Sequence, residues 1–259
     1  MVRRATVRMI DSGLTGAEID VEAQQALWRA VCEAAEQLAP RCAVYSSQIP
    51  DEPGLIRVGR PIPEVKPWQL IEALSLLAIL MRADEVNSSE ILSLFGKTGP
   101  LGFREDGADR YLWAQQKLQG EYSALGGRPD LVVTSSPERP TTVNVLRIVE
   151  AKCRRQLDTQ TVRAEFGKAH NLRVAKYFIW TFYSASPRAV AGAHRLGLDI
   201  VELGFDSPRR KDLIEQPAAL VSHVAHALEQ SRKVQRFATA LKEAGQDARR
   251  SYWDESRNC

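Results

Sequence analysis

The segment from Gly126 to Ser184 constrains the fold more than any other part of the chain, because strand and helix signals alternate there around a group of charged residues. Leu131 to Thr134 is a short β-branched run that follows two glycines and a proline and ends at Ser135-Ser136-Pro137. The next predicted strand, Val143 to Cys153, carries apolar residues on both faces, which is typical of a central strand. The segment therefore predicts a hairpin whose second strand lies inside a sheet.

Antiparallel pairing of these two strands brings three charged side chains together. With the turn centred near Pro140, Asp130 at the start of the first strand falls opposite Glu150 near the end of the second. Since side chains alternate along a strand, Glu150 and Lys152 project to one face. Two adjacent carboxylates repel each other unless a cation lies between them, and such an oxygen site suits Mg²⁺ or Mn²⁺. We therefore expect a divalent cation on Asp130 and Glu150, with Lys152 orienting or deprotonating an attacking water.

An ordinary surface ion pair on an edge strand is the alternative interpretation of Glu150 and Lys152. An edge strand alternates apolar and polar residues, because one of its faces meets water. The run before Glu150 is apolar on both faces instead, with Val145, Ile148 and Val149. The sequence therefore favours a charged site at the end of a buried strand.

The order Pro129-Asp130, nineteen intervening residues and Glu150-Ala151-Lys152 resembles the signature of the PD-(D/E)XK nuclease superfamily, the restriction-endonuclease-like fold. The resemblance covers about residues 105 to 205, and the segments after the motif also fit it. They are a helix over Thr159 to Asn171, a strand over Ala175 to Ser184, a helix over Pro187 to Leu196 and a strand over Asp199 to Gly204. The resemblance implies an α/β fold with a central mixed β-sheet flanked by helices.

The resemblance also implies roles for the motif residues. Asp130 and Glu150 correspond to the acids that bind metal in that superfamily, and the backbone carbonyl of Ala151 corresponds to a further metal contact. Lys152 corresponds to the lysine that serves the attacking water. The implied cofactor is Mg²⁺ or Mn²⁺, held chiefly by the two carboxylates.

The superfamily varies in the helices around this motif. Some members add an acid from the helix before the hairpin, and the sequence predicts a helix there over Asp109 to Gln119. Glu105, Gln116 and Glu121 lie near it without a distinguishing spacing, so the choice of Glu105, Glu121 or neither as a third acid stays open. Other members add a Gln or Lys from the helix after the hairpin, for which Gln160 is the candidate. A solvated first-turn glutamine is the other interpretation of Gln160.

Basic residues are concentrated around the motif, although the net charge of the chain is only +3. Residues 146 to 176 contain eight basic residues against three acids; the basic ones are Arg147, Lys152, Arg154, Arg155, Arg163, Lys168, Arg173 and Lys176. Lys and Arg are the main contacts to phosphate backbones. We therefore expect nucleic acid to contact Arg154, Arg155, Arg163 and Lys168, with solvated surface charges as the alternative interpretation of each.

The regions on either side of the predicted nuclease core, residues 101–216, carry different patterns. Residues 1–100 predict a mostly helical accessory region, with helices over Ile19 to Leu38 and Pro67 to Met81. The second helix is apolar on most faces and is expected to be buried. Residues 217–259 predict a helix from Pro217 to Ala244 and a tail. The role of these regions stays open. They could recognise the target, form a homo-oligomer or dock a partner protein.

Composition excludes several classes of protein. A hydrophobic fraction of 44% and a charged fraction of 26% are typical of a globular chain. No apolar run reaches about eighteen residues, and the basic start MVRRATVRM lacks the apolar segment of a secretion signal, so we expect a cytoplasmic protein that does not enter a membrane. Cys32, Cys42, Cys153 and Cys259 form no C-x-x-C pair, which argues against a zinc site. His223 and His226 are more typical of a helix surface than of a metal site.

These observations predict a metal-dependent nuclease that hydrolyses phosphodiester bonds, with DNA as the expected substrate and RNA as a possible one. The compact core lies beside a helical region that contains no evident element for recognising a nucleic-acid sequence. This favours an effector of prokaryotic defence that is gated by a partner, for example an Argonaute-associated one. A stand-alone restriction or repair endonuclease is one alternative. The other is a non-catalytic nucleic-acid-binding or assembly subunit that keeps the nuclease fold.

Overall fold

The computed structural model describes residues 21–38, 56–57, 65–86, 92–93, 98–118, 120, 127–153, 156–208 and 210–230. The helices are α1 (Val21–Leu38), α2 (Pro67–Met81), α3 (Thr159–Asn171), α4 (Pro187–Leu196), α5 (Arg210–Glu215) and α6 (Pro217–Glu229). The strands are β1 (Ile56–Arg57), β2 (Glu85–Val86), β3 (Leu92–Ser93), β4 (Thr98–Glu105), β5 (Ala108–Ala114), β6 (Leu131–Thr134), β7 (Val145–Lys152), β8 (Lys176–Thr181) and β9 (Asp199–Glu202).

The described strands form a mixed sheet of seven and a separate pair. The large sheet has the order β2-β4-β5-β6-β7-β8-β9, and the pair is β1 with β3. Neighbours from β2 to β7 are antiparallel, whereas β7, β8 and β9 are parallel. Parallel neighbours need a crossover connection, and α3 and α4 supply it between successive strands. The α/β class and the central mixed sheet flanked by helices are therefore as the sequence predicts.

Local capping signals explain why the helices after the motif have the predicted bounds. Asp158 caps α3, because its side chain accepts a 2.7 Å hydrogen bond from the Thr161 amide. Ser186 caps α4 in the same way, and Gly197 ends that helix with a φ of 73°. These capping residues lie next to the helix ends in the chain, so the helix bounds can be predicted from the local sequence.

The predicted helix over Asp109 to Gln119 is wrong, because residues 108–114 form β5. Strands β4 and β5 are joined by the two-residue turn Asp106-Gly107, where φ is 51° and 71°. Positive φ at both central residues is the conformation that favours Asp-Gly in a tight hairpin, because it matches the twist of the strands. The part of residues 1–100 that the structure describes likewise contains short strands as well as α1 and α2.

Two hydrophobic cores cover the two faces of the sheet. One joins α1, α2 and α6 to the face that carries Leu131, Val149 and Phe178. The other joins α3 and α4 to the face that carries Ile148 and Tyr177. The first core crosses both predicted boundaries, after residue 100 and after residue 216, so α2 packs directly against β7. In the part of the chain that the structure describes, no helix has both the length and the apolar character needed to cross a membrane.

Candidate active site

The hairpin of β6 and β7 brings the predicted motif residues together. Leu131 pairs with Val149, and the same antiparallel register puts Asp130 opposite Glu150. The Ala151 amide donates a 2.7 Å hydrogen bond to Asp130 Oδ2, which fixes the carboxylate against the end of β7. Glu150 is 2% exposed, so its charge is largely removed from water. The predicted neighbourhood of two acids at the end of a buried strand is therefore present.

A third acid reaches this hairpin from helix α2. Glu72 shares a hydrogen bond with Asp130, and burial together with the charge of Asp130 raises the pKa of Glu72 to about 9. The sequence pattern did not predict Glu72, because the helix before the hairpin was expected at residues 109–119, of which residues 109–114 belong to strand β5 instead. One signal was available: Glu72 is the single charged residue within the fifteen residues of the apolar helix α2.

Gln115 holds the same pair of acids from the end of β5. Its Nε2 donates a 3.2 Å hydrogen bond to Asp130 Oδ1, and its backbone amide donates to the Asp130 carbonyl at 2.9 Å. It also forms a side-chain hydrogen bond with Glu72. Both carboxylate oxygens of Asp130 are thus hydrogen-bonded, one to Gln115 and the other to Ala151.

On the α3 side, two lysines and two glutamates form a buried cluster. Lys152 Nζ lies 2.9 Å from Glu150 Oε2 and 3.0 Å from Glu165 Oε1. Lys168 Nζ lies 3.0 Å from an oxygen of each of the same two acids. Tyr177 completes the cluster, because its hydroxyl donates a 2.6 Å hydrogen bond to Glu165 Oε2. Charges of opposite sign compensate one another in this arrangement, which allows Glu150 and Glu165 to lie below the surface.

The cluster determines which charge states the motif residues take. Although burial favours a neutral amine, the carboxylates of Glu150 and Glu165 raise the pKa of Lys152 well above its usual value. Burial also raises the pKa of Glu150, and the charges of Glu165 and Asp130 add to that increase while Lys152 and Lys168 oppose it. Lys152 is therefore an ammonium group here, which suits orienting a water or balancing negative charge rather than removing a proton.

The remaining predicted site residues lie in different environments. Lys168 faces the buried cluster with a side chain that is 35% exposed, so its position differs from a simple surface contact to nucleic acid. Gln160 and Arg163 are exposed, and Gln160 lies on the solvent face of α3 rather than on the face of Glu165 and Lys168. Arg154 and Arg155 lie outside the described residues.

Glu105, one candidate for a third acid, lies away from the site. Glu105 pairs with Arg147 at 2.7 Å, near the start of β7 and on the face opposite Glu150. Gln116 donates to the Ala114 carbonyl at 3.3 Å, and Glu121 lies outside the described residues. The sequence left open whether a third acid is Glu105, Glu121 or neither, and in the structure Glu72 from α2 is the further acid that lies beside Asp130.

The donor chemistry of Glu72 and Asp130 fits a divalent cation. The raised pKa of Glu72 shows that its negative charge beside Asp130 lacks a counter-charge, which a divalent cation could supply. Glu150 could add a third carboxylate, but both its oxygens contact lysines in this arrangement. Consistent with that, the described residues contain no group of three or more His, Cys, Asp or Glu side chains already arranged around a cation position.

Comparison with known proteins gives no match: no family model matches the chain, and no curated protein or solved structure is detectably similar to it. Together, the fold and the site define an α/β protein with a mixed sheet, in which acids from α2, β7 and the start of β6 meet lysines from β7 and α3.

Proposed function

We propose that the protein is a metal-dependent nuclease that hydrolyses phosphodiester bonds of nucleic acid, with DNA as the expected substrate. The observation that carries this proposal is that Asp130 and Glu150 lie opposite each other in the β6-β7 hairpin, with Glu72 of α2 beside Asp130 and the Lys152 ammonium group 2.9 Å from Glu150. Carboxylate oxygens are the ligands that Mg²⁺ and Mn²⁺ prefer. The resemblance of the sequence to the PD-(D/E)XK signature supports the same class of reaction.

Glu72 and Asp130 would hold a Mg²⁺ or Mn²⁺ ion, and Glu150 would join them once its lysine contacts are exchanged. By resemblance, the Ala151 carbonyl is a further ligand. A divalent cation bound there would supply Lewis-acid stabilisation of the phosphate oxygens and activation of a water. The donors of Gln115 and Ala151 keep the Asp130 carboxylate in one orientation while this happens.

Lys152 supplies the positive charge nearest to the motif acids. As an ammonium group it donates hydrogen bonds to a water in line with the scissile phosphorus, and it balances the charge that develops on the phosphate. Lys168 supplies a second positive charge from α3, about one hydrogen-bond length from Glu150. By resemblance, in-line attack leaves a 5′-phosphate on the product.

We also propose that the enzyme is gated by a partner, as a defence effector such as an Argonaute-associated nuclease would be. The support is the state of Glu150, because both its oxygens are engaged by lysines, so a cation can reach it only after the cluster rearranges. Binding of a partner or a second copy through α1 or α6 would favour that rearrangement, since α1 and α6 belong to the core that also holds α2.

The direct experiment is a cleavage assay with plasmid and with oligonucleotides of DNA and RNA, in Mg²⁺ or Mn²⁺. Asp130→Asn and Lys152→Met should abolish cleavage while circular dichroism stays unchanged. Lys211→Ala is the matched control, because Lys211 is 82% exposed in the short helix α5. Cleavage at wild-type rates by both motif variants would contradict the assignment of this site as the nuclease active site.

Metal titration by calorimetry separates the nuclease from a non-catalytic protein with the same fold. The nuclease binds Mn²⁺ in a way that depends on Asp130, whereas a scaffold shows no such binding. Slow cleavage by the isolated chain, followed by acceleration when a neighbouring gene product is added, supports gating. Rapid cutting at one sequence by the chain alone would indicate a restriction enzyme instead.

A further inference from the structure

Gln115 has an unusual backbone conformation for its residue type. Its φ is 58°, in the left-handed region that a side chain with a Cβ rarely adopts. The other described non-glycine residues with positive φ are Asp106, in a tight hairpin turn, and Arg173, just after helix α3. Both lie where chains commonly reverse, but Gln115 directly follows strand β5 and precedes the segment that leads to Asp130.

Gln115 makes four polar contacts in this conformation. Its backbone amide and its Nε2 both donate to Asp130, at 2.9 and 3.2 Å. Its carbonyl accepts a 3.1 Å hydrogen bond from Arg128 Nε, two residues before Asp130. Its side chain also forms a hydrogen bond with Glu72, the acid that α2 contributes. Gln115 therefore connects the two carboxyl groups that meet at the mouth of β6.

A turn with a merely structural role would be served better by another residue. Glycine adopts positive φ at no steric cost, and asparagine tolerates it better than glutamine does. Glutamine is longer than asparagine by one methylene, and its amide contacts Asp130 Oδ1 at 3.2 Å. Strained residues that persist where a less strained one would fit are found mainly at functional sites.

We propose that Gln115 is a positioning residue of the candidate active site. Its left-handed backbone aims the amide so that it holds Asp130 and Glu72 in the orientation that a divalent cation needs. This inference rests on the proposed function, because it concerns the cation that the nuclease would use. It adds a residue that neither the motif nor the resemblance identifies.

The test compares Gln115→Gly and Gln115→Asn with the wild type. Glycine removes both the amide and the backbone strain, whereas asparagine keeps an amide on a side chain that is one methylene shorter. We expect a melting temperature for Gln115→Gly at or above that of the wild type. We expect Mn²⁺ affinity, measured by calorimetry, to fall about tenfold in both variants, since loss of a residue that orients a metal ligand typically costs 10- to 100-fold.

The kinetic expectation is a fall in kcat of about tenfold or more, with the KM for DNA within about twofold, because Gln115 orients ligands and does not contact the substrate. Asp106→Gly is the matched control. It replaces another residue with positive φ in a turn that lies away from the acids, so metal affinity and kcat should not change. Gln115→Gly with wild-type metal affinity and kcat would show that only the backbone conformation matters, which overturns the proposal.

A crystal structure of Gln115→Gly distinguishes this proposal from the proposed function. If the wild type neither binds Mn²⁺ nor cleaves, the nuclease assignment fails whatever Gln115 does. The positioning role then depends on whether the Asp130 carboxylate has turned away from its wild-type rotamer in the variant. An Asp130 carboxylate that keeps the same rotamer and the same contact with Ala151 would overturn the positioning role, with or without nuclease activity.

Discussion

The Glu72 carboxyl group of helix α2 shares a hydrogen bond with the Asp130 carboxylate at the mouth of strand β6. The two acids come from elements that are far apart in the chain, and only the packing of α2 under the sheet brings them together. Because burial and the charge of Asp130 disfavour ionisation, the pKa of Glu72 rises to about 9. The pair therefore links the stability of the fold to pH.

Stability without added metal should fall as the pH rises from about 5 to 9. The folded protein keeps a proton on Glu72 that the unfolded chain releases near pH 4.5, so the stabilising contribution is complete below that value and declines up to the folded pKa of about 9. The decline is at most about 1.4 kcal/mol per pH unit for one proton. Urea unfolding in EDTA from pH 5 to 9 measures it. Glu72→Gln should flatten the slope, and a slope equal to that of the wild type would contradict the prediction.

Mn²⁺ should stabilise the wild type more at pH 8 than at pH 6. A proton and a divalent cation compete for Glu72, and the proton is lost more easily at the higher pH. Thermal melts with and without saturating Mn²⁺ at the two pH values give the difference. Glu72→Gln is the control, since its stabilisation by Mn²⁺ should be smaller and nearly independent of pH. A larger effect at pH 6 would show that the cation binds elsewhere.

The parts of the structure that could be predicted are those with local signals. Alternation along β7 and the length of the connection place Asp130 opposite Glu150, and caps at Asp158 and Ser186 fix two helices. The turn at Asp106-Gly107 also has a local signal, because Asp-Gly favours a tight hairpin, and that signal contradicts the predicted helix over Asp109 to Gln119.

The acid from α2 and the role of Lys168 could not be predicted in the same way. Glu72 contacts Asp130 because α2 packs against the sheet. The position of α2 along the sheet depends on tertiary packing, and a local sequence pattern does not predict it. Lys168 was expected to contact nucleic acid, because a count of basic residues ignores which face of a helix they occupy. In the fold, the Lys168 side chain contacts Glu150 of β7 and Glu165 of α3. Glu165 precedes Lys168 by three residues, so the two side chains lie on the same face of the helix.

Lys168→Ala should tighten the binding of Mn²⁺ by roughly tenfold. Lys168 Nζ lies 3.0 Å from Glu150 Oε1, so its charge both repels a cation and engages one of the oxygens that would bind it. Calorimetric titration of both proteins at the same pH and salt measures the change. Gln160→Ala is the control, because Gln160 is exposed in the first turn of the same helix and should leave the affinity unaltered. Weaker Mn²⁺ binding by Lys168→Ala would indicate that this lysine organises the acids instead of competing for them.

Glu105→Ala should destabilise the fold by about 3–5 kcal/mol without changing metal binding. Arg147 is 6% exposed and donates to both oxygens of Glu105 through Nη2, while Arg147 Nε has no acceptor within the described part of the fold. Removing the carboxylate therefore leaves a buried guanidinium without its counter-charge.

Replacing both members of this pair should be milder than replacing Glu105 alone. The double variant Glu105→Leu with Arg147→Leu removes the buried charge as well as its partner, so most of the lost stability should return. Urea unfolding of the single and double variants measures both effects, and calorimetry with Mn²⁺ tests the site separately. If Glu105→Ala were stable but unable to bind Mn²⁺, Glu105 would belong to the metal site and Glu72 would lose its place as the third acid.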